Sequence, residues 1–276
     1  MAAVSLWSAG IPHSSSAISA AAIVTRLRAA GCVFAEEEAR LLIAAARDGA
    51  ELRAMVDRRA GGDPLEYVIG WAEFCDLRIA VEPGVFVPRH RSELLVAAAT
   101  ARTTPTAVVV DMCCGSGAVG AAIAHARPGI DLHAADLDAV AVRCARRNLA
   151  GLGARVYQGD LYNALPVTLR GRVDVLVANV PYVPTADIDL LPREARDHEP
   201  RVTLDGGADG LNVMRRLVAD WHDWLAPGGH LLVETSARQA RAALRLVSAS
   251  GLTAHREVDD DLEATVIVGS SPRQSP

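Results

Sequence analysis

Along the first quarter of the chain, apolar residues recur at helical spacing, in stretches cut by glycines. SSSAISAAAIVTRLRAAG, from Ser14, has serines for caps and a glycine stop. AEEEARLLIAAARDG puts acids in its first turn and Arg-Asp-Gly at its end, which suits a helix dipole. AELRAMVDRRAGG predicts a third, short helix, and the run breaks at Gly61-Gly62-Asp63-Pro64. The period then changes. In FCDLRIAVEPGVFVP, Leu77, Ile79 and Val81 alternate with polar or small residues and Pro83-Gly84 makes a turn, which predicts a β-hairpin.

From about residue 92, strands and helices alternate. TAVVVDM, DLHAADL, ARVYQGD, VDVLVAN and HLLVETS predict five strands, with LTAHREV and EATVIVG as two more at the end. GAVGAAIAHA, DAVAVRCARRNLAG, NVMRRLVADWHDWL and ARQARAALRLVSASG predict helices between them. Such alternation means an α/β sheet covered on both faces, with ligands beyond the carboxyl ends of the strands. The expected divisions are a helical domain over 1–62, a linker with a β-hairpin over 63–91, an α/β domain over 92–270 and a disordered tail over 271–276. The first dozen residues are also expected to be loose.

Composition narrows the class. There are 28 Lys+Arg against 33 Asp+Glu, a formal net charge of −5, and every basic residue is arginine. With so much alanine this points to a GC-rich coding bias, so the arginines carry little functional signal. A mildly acidic chain without a basic block matches a long nucleic-acid duplex poorly, and no stable nucleic-acid binding is expected. The five cysteines form no C-x-x-C pair, which disfavours a disulfide framework or zinc site and points to a reducing cytosol. No stretch approaches 18 uncharged apolar residues, so a cytoplasmic, monomeric protein without a membrane span is expected.

The strand ends carry the candidate chemistry. The first ends on Asp111 and enters a helix through Gly115-Ser116-Gly117, where glycines let a ligand approach the backbone. No Gly-Lys-Ser/Thr follows, so this is no P-loop. Gly115, Gly117 and Gly120 match G-x-G-x-x-G, and Asp136 ends the next strand, where a carboxylate suits a ribose diol. Nucleoside binding is favoured, either a dinucleotide or S-adenosylmethionine. Asp138 reads as a helix cap and Asp160 as a possible acceptor for an adenine amine. The fourth strand ends in Asn179-Val180-Pro181-Tyr182, either an ordinary turn or a site for an amide or amine nitrogen.

Together, strand-D-x-x-x-G-x-G, an acid after strand two, G-D, and N-x-P-Y resemble the S-adenosylmethionine-dependent amino-methyltransferases. Three further blocks narrow the resemblance to the HemK-type release-factor glutamine methyltransferases. GDPLEYVIGWAEFCDLRIAVEPGVFVPRHRSELLV resembles that family's linker at Gly62, Pro64, Leu65, Tyr67, Gly70, Phe74, Pro83, Gly84, Pro88, Arg89, Ser92 and Glu93. HEPRVTLDGGADGL, from His198, is similar to its E-P-x-x-A-L-x-G-G-x-D-G-L, and LAPGGHLLVETSARQ to its L-x-P-G-G-x-L-x-x-E-x-x-x-x-Q. The similarity spans about residues 60 to 240.

The resemblance implies a seven-stranded Rossmann-like sheet with a small N-terminal helical domain. It implies S-adenosylmethionine as cofactor, S-adenosylhomocysteine as product and no metal. Asp111, Cys113, Gly115 and Gly117 would line the methionine and ribose part. Asp136 would hold the ribose hydroxyls and Asp160 would sit by the adenine amine, with Leu137 and Leu161 also binding the cofactor. Asn179 to Tyr182 would form the catalytic amide site, with Phe86, Arg89, Glu93 and Glu199 around it. The substrate would be a glutamine amide in a release factor, docked on the helical domain. The Asn179 side-chain oxygen and the Val180 carbonyl would accept the two amide N–H groups. Val180 stands where the family has proline, and VDDDLEATVIV lacks its closing Gly and Arg. These departures point to a divergent branch or to a paralogue with another target. An adenine amino-methyltransferase shares the N-x-P-Y logic, but the acidic chain and the linker blocks favour a protein substrate. An oxidoreductase does not account for Asn-Val-Pro-Tyr, and a non-catalytic relic does not account for the retained set of strand-end residues.

Overall fold

The computed structural model describes residues 18–273; the expectations for the first dozen residues and for 274–276 lie outside them. The described residues form two compact units, divided between Ile69 and Gly70.

The first unit is helical: α1 (Ala20–Ala29), α2 (Ala35–Ala45), α3 (Gly49–Ala60) and the short α4 (Leu65–Ile69). Ser19 caps α1 through the Ala22 N–H, and Asp48 caps α3 through the N–H groups of Ala50 and Glu51. Ile23, Leu27, Leu42 and Val56 fill its core. Glu38 and Arg59 form a buried bidentate pair, at 2.6 and 3.0 Å, between α2 and α3.

The second unit opens with β1 (Trp71–Phe74) paired antiparallel to β2 (Leu77–Ala80). This corrects the expected hairpin. The chain reverses at Cys75-Asp76, both at positive φ, and the first strand lies upstream in WAEF. Pro83-Gly84 is a turn, closed by the Val85 N–H on Glu82, but no strand follows it. Then come α5 (Glu93–Arg102), β3 (Val108–Met112), α6 (Ala118–Ala126), β4 (Asp131–Asp136), α7 (Ala139–Leu149), β5 (Arg155–Gln158), β6 (Val173–Ala178), α8 (Arg193–His198), α9 (Asn212–Ala219), β7 (Leu225–Thr235), α10 (Ala240–Ala249), β8 (Thr253–Asp259) and β9 (Ala264–Ser270).

The sheet order is β5-β4-β3-β6-β7-β9-β8, parallel from β5 to β7, with β9 antiparallel to β7 and β8 antiparallel to β9. The seven-stranded α/β expectation holds. The central strands are buried along their length, and two apolar layers lie on their faces. The helix expected across 212–225 ends at Ala219. Leu225 already pairs with Val173 as strand, and Trp224 stacks on Tyr162 at 5.3 Å between ring centroids. The tail is bonded at its start: Ser271 is buried, its hydroxyl donating to the Ala226 carbonyl at 2.7 Å.

Candidate active site

The carboxyl ends of β3 and β6 lie side by side, Met112 opposite Ala178, where the strand order reverses direction. An open α/β sheet forms its ligand crevice at such a switch point. A cavity of about 510 Å3 opens there, within the span of roughly 300–1,000 Å3 common for small-molecule sites.

One side of the cavity is built on β3, β4 and β5. Asp111 is buried, and its Oδ2 accepts the Gly120 N–H at 2.9 Å. Burial pushes its carboxyl up to about 7, opposed by that bond and reinforced by nearby Asp136. Asp136, also raised by burial, accepts the N–H groups of Gly115 at 2.8 Å and Asp138 at 2.9 Å. The turn after β3 and the end of β4 thereby hold each other. Asp138 caps α7, its Oδ1 taking the Val140 N–H at 2.5 Å. Leu137, Asp160 and Leu161 line the same side. Asp160 is engaged by Arg216 of α9 at 2.5 Å, and Arg216 lines the cavity as well. Cys113 also lines it, but burial and the neighbouring acids raise its thiol, which keeps it from nucleophilic work.

Gly117 does not line the cavity; it faces α7. A Cβ there would lie 3.1 Å from Leu149 and 3.2 Å from Ala145, and φ is +78°. Its value is the close approach of α6 to α7.

The other side is built on the end of β6 and on segments far from it in sequence. Asn179, Val180, Pro181 and Tyr182 all line the cavity. The Val180 side chain is buried in one apolar layer with Leu176 and Ala178. Burial thus anchors the segment at a position where the family pattern uses the fixed φ of proline. The Asn179 Nδ2 donates to Ser92 Oγ at 3.2 Å, which leaves Oδ1 as the atom for a ligand. The Tyr182 hydroxyl donates to Glu234 Oε1 at 3.4 Å and receives Arg91 at 3.5 Å. Burial, then Glu234, pushes its pKa up to about 12, so the phenol stays protonated.

The loop after Glu199 closes over this segment. Gln239 Nε2 donates to the carbonyls of Tyr182 and Asp209, each at 2.8 Å. The N–H of Val183 meets the Leu204 carbonyl at 2.9 Å, and the Gly206 N–H meets the Val183 carbonyl at 2.8 Å. Gly210 sits at φ +74°, and a Cβ there would lie 2.2 Å from the Tyr182 carbonyl oxygen. Only glycine allows that approach.

Phe86, Arg89 and Glu199 form one wall. Buried Glu199 accepts the Val87 N–H at 3.2 Å and the Arg89 guanidinium at 2.6 Å, and Arg89 lies over the Phe86 ring at 5.3 Å. Glu93 falls outside the lining; its carboxylate bonds His90 Nδ1 at 2.8 Å. The structure therefore brings the proposed site residues to one cavity, Gly117 and Glu93 excepted.

Four contributors carried no role in the sequence reading: Ser92, Arg216, Glu234 and Gln239. Glu234 had a visible signal, an acid inside the apolar run HLLVETS. Arg216 had none, since its partner Asp160 is 56 residues away. Among the described residues there is no cluster of His, Cys, Asp and Glu able to hold a metal ion, and no helix long and apolar enough to cross a membrane.

Comparison with known proteins bears on this geometry. Residues 76–191 match the family described as the methyltransferase small domain. The chain is 40% identical over 204 residues, 73% of its length and 71% of the relative's, to a release factor glutamine methyltransferase of Geobacter sulfurreducens. It is 36% identical over 207 residues, 72% of its length and 70% of the relative's, to a 4-amino-L-phenylalanine/4-methylamino-L-phenylalanine methyltransferase of Streptomyces pristinaespiralis. Its fold is similar to that of a methyltransferase from Pyrococcus furiosus, with a TM-score of 0.55 at 16% identity, covering 71% of this chain and 89% of the other.

Proposed function

We propose that this chain, which belongs to the release factor glutamine methyltransferase family, methylates the side-chain amide nitrogen of a glutamine in a peptide chain release factor. The donor is S-adenosylmethionine. The donor set fits that molecule: a buried carboxylate, Asp111, and a partly buried one, Asp136, suit its ammonium and its ribose hydroxyls. Leu137 and Leu161 would flank the adenine, with Asp160 at its amino group. When bound, the cofactor supplies an electrophilic methyl group on a sulfonium centre, and no metal is needed.

The observation that carries the acceptor assignment is the orientation of Asn179. With Nδ2 turned to Ser92, its Oδ1 and the adjacent Val180 carbonyl are two acceptors for one NH2 group. An amide nitrogen is a weak nucleophile because its lone pair is delocalised into the carbonyl. Holding both N–H groups pyramidalises the nitrogen and aims its lone pair. One N–H proton would be lost to solvent as the new N–C bond forms and the methyl–sulfur bond breaks, the sulfur leaving as the thioether of S-adenosylhomocysteine. Tyr182, held at its hydroxyl by Glu234, would stack on the amide plane. Orientation of this kind contributes on the order of 7–11 kcal/mol at best.

Two exposed apolar residues after α1, Val33 and Phe34, support the helical unit as the docking surface for the release factor. The test offers labelled cofactor with a release factor, duplex DNA and free 4-aminophenylalanine in parallel. Label on the release factor alone supports the proposal. Label on the arylamine or DNA keeps the methyl transfer and moves the acceptor.

A further inference from the structure

We infer that Asn148, a residue of α7 outside the cavity lining, is a positioning residue for transfer: its side-chain amide pins the turn on the donor side to the strand that leads into the acceptor wall. The step it serves is the methyl transfer proposed above, on which this role rests.

Asn148 meets two segments remote from it in sequence. Its Oδ1 accepts the Ala80 N–H at 2.9 Å, and its Nδ2 donates to the Ala80 carbonyl at 2.9 Å. Ala80 ends β2, so the amide pairs with it as the backbone of a neighbouring strand would. The other Nδ2 hydrogen goes to the Ser116 carbonyl at 2.8 Å. Both donors and the oxygen of the carboxamide are thereby engaged, which fixes its orientation.

Each partner leads to one half of the cavity. Ser116 is buried in the turn after β3 and lines the donor side. It stands between Gly115, held by Asp136, and Gly117, which faces α7. Beyond Ala80 the chain meets that turn again at Phe86, where a Cβ on Gly115 would lie 4.0 Å from the Phe86 Cβ. It then supplies Phe86, Arg89 and Ser92 to the acceptor side, where Glu199 and Asn179 hold it. Residues 80–92 are therefore a strap, fastened to the donor turn at one end and to the amide site at the other. Asn148 is the fastening at the donor end. It sets the spacing at which methyl donor and amide nitrogen meet, and a misplacement of about 1 Å there costs on the order of 100-fold in rate.

Asn148→Asp separates this pin from plain packing. Aspartate keeps the shape and the bond to the Ala80 N–H, but when ionised it has no donor and sets an oxygen against two carbonyls. Asn148→Ala leaves space in which water can bond those carbonyls. The experiment measures kcat, acceptor KM, cofactor Kd and melting temperature for both variants. Val247→Ala, at a buried α10 position outside the cavity lining, is the control for general destabilisation. The expected loss in kcat is about 30-fold in Asn148→Asp and about 10-fold in Asn148→Ala, with KM and Kd within about fivefold. Val247→Ala should melt lower and keep its kcat. In parallel, exchange of the Ala80 amide proton is followed by nitrogen-labelled NMR. S-adenosylmethionine should slow it in the wild type, because an occupied turn steadies Ser116 and with it Asn148. It should not do so in Asn148→Asp, where Ala80 keeps its bond but the link to Ser116 is cut.

A wild-type kcat in folded Asn148→Asp, an equal loss in Val247→Ala, or a loss confined to cofactor Kd would overturn this role. Should Asn148→Asp fail to fold, Asn148→Ala carries the same rate and exchange measurements. If the wild type labels no acceptor, the proposed function fails, and the exchange still decides the pin: slowing by cofactor in the wild type alone supports it, an equal response in wild type and variant overturns it.

Discussion

The two halves of the cavity are built in different ways. On the donor side, the decisive bonds are local: Asp111 holds Gly120, 9 residues on, and Asp136 holds Gly115, 21 residues back. On the acceptor side, they cross the chain: Asn179 to Ser92 spans 87 residues, Tyr182 to Glu234 52, Gln239 to Tyr182 57, and Arg89 to Glu199 110. On the proposed reading, the cofactor would be held by one strand-turn-helix unit and the next strand, and the part that would choose the acceptor is assembled from loops on the finished sheet, where variation disturbs the sheet least.

If the halves are separable, changes in one should leave the other's observable alone. The largest effect is expected for Asn179→Ala: transfer should fall by about 10^3-fold, the scale of a lost orienting group, while calorimetry finds cofactor Kd within a factor of about three. Loss of cofactor binding there would erase the distinction. Asp136→Asn should act in the opposite sense. It should weaken cofactor binding by about 10- to 100-fold, as expected for hydrogen bonds to a charged group, with kcat at saturating cofactor nearly retained. Equilibrium dialysis beside steady-state rates checks it.

Asp111 sharpens the donor side through pH. The folded protein keeps this carboxyl protonated up to about pH 7, whereas the unfolded chain ionises it near about 4. Between those values the folded state binds more protons, so Asp111 makes the free protein less stable as pH rises. A cationic ligand group favours the ionised form. Cofactor affinity should therefore rise as pH rises toward about 7 and level off above it, by up to about tenfold per pH unit. Asp111→Asn should flatten the rise, as measured by calorimetry across pH. The smallest effect belongs to Arg216→Gln. Its pair with Asp160 is half exposed, and such pairs contribute about 0–1 kcal/mol. Cofactor Kd should change less than about fivefold, read by the same titration.

The same contrast governs what was legible in the sequence. The sheet was readable because VVVDM and VDVLVA are short, Val-rich apolar runs, each broken by a single aspartate, as a buried strand requires. Asp111, Asp136 and Asp160 were readable because an acid at or just past the end of a strand stands out where the chain turns away; Asp111 comes four residues before Gly115 and Asp160 directly after Gly159. The hairpin was misplaced because Pro83-Gly84 is the stronger turn signal, while the real reversal uses Cys75-Asp76 at positive φ. The helix from Asn212 was drawn too long because its amphipathic pattern runs on past Ala219. Strand pairing to β6 and the packing of Trp224 on Tyr162 override that pattern. Ser92 and Glu234 were visible as motif letters only. Their partners are set by register and burial, which no local pattern encodes.

The central claim is that the acceptor half presents a glutamine amide nitrogen to the methyl group. The most direct measurement is fragment-mapped mass spectrometry of a release factor after turnover with the wild-type chain and with Asn179→Ala. The account predicts one added methyl on the side-chain nitrogen of one release-factor glutamine, present with the wild type and absent with the variant. A methyl on any other residue, or on that glutamine with both proteins, would contradict it.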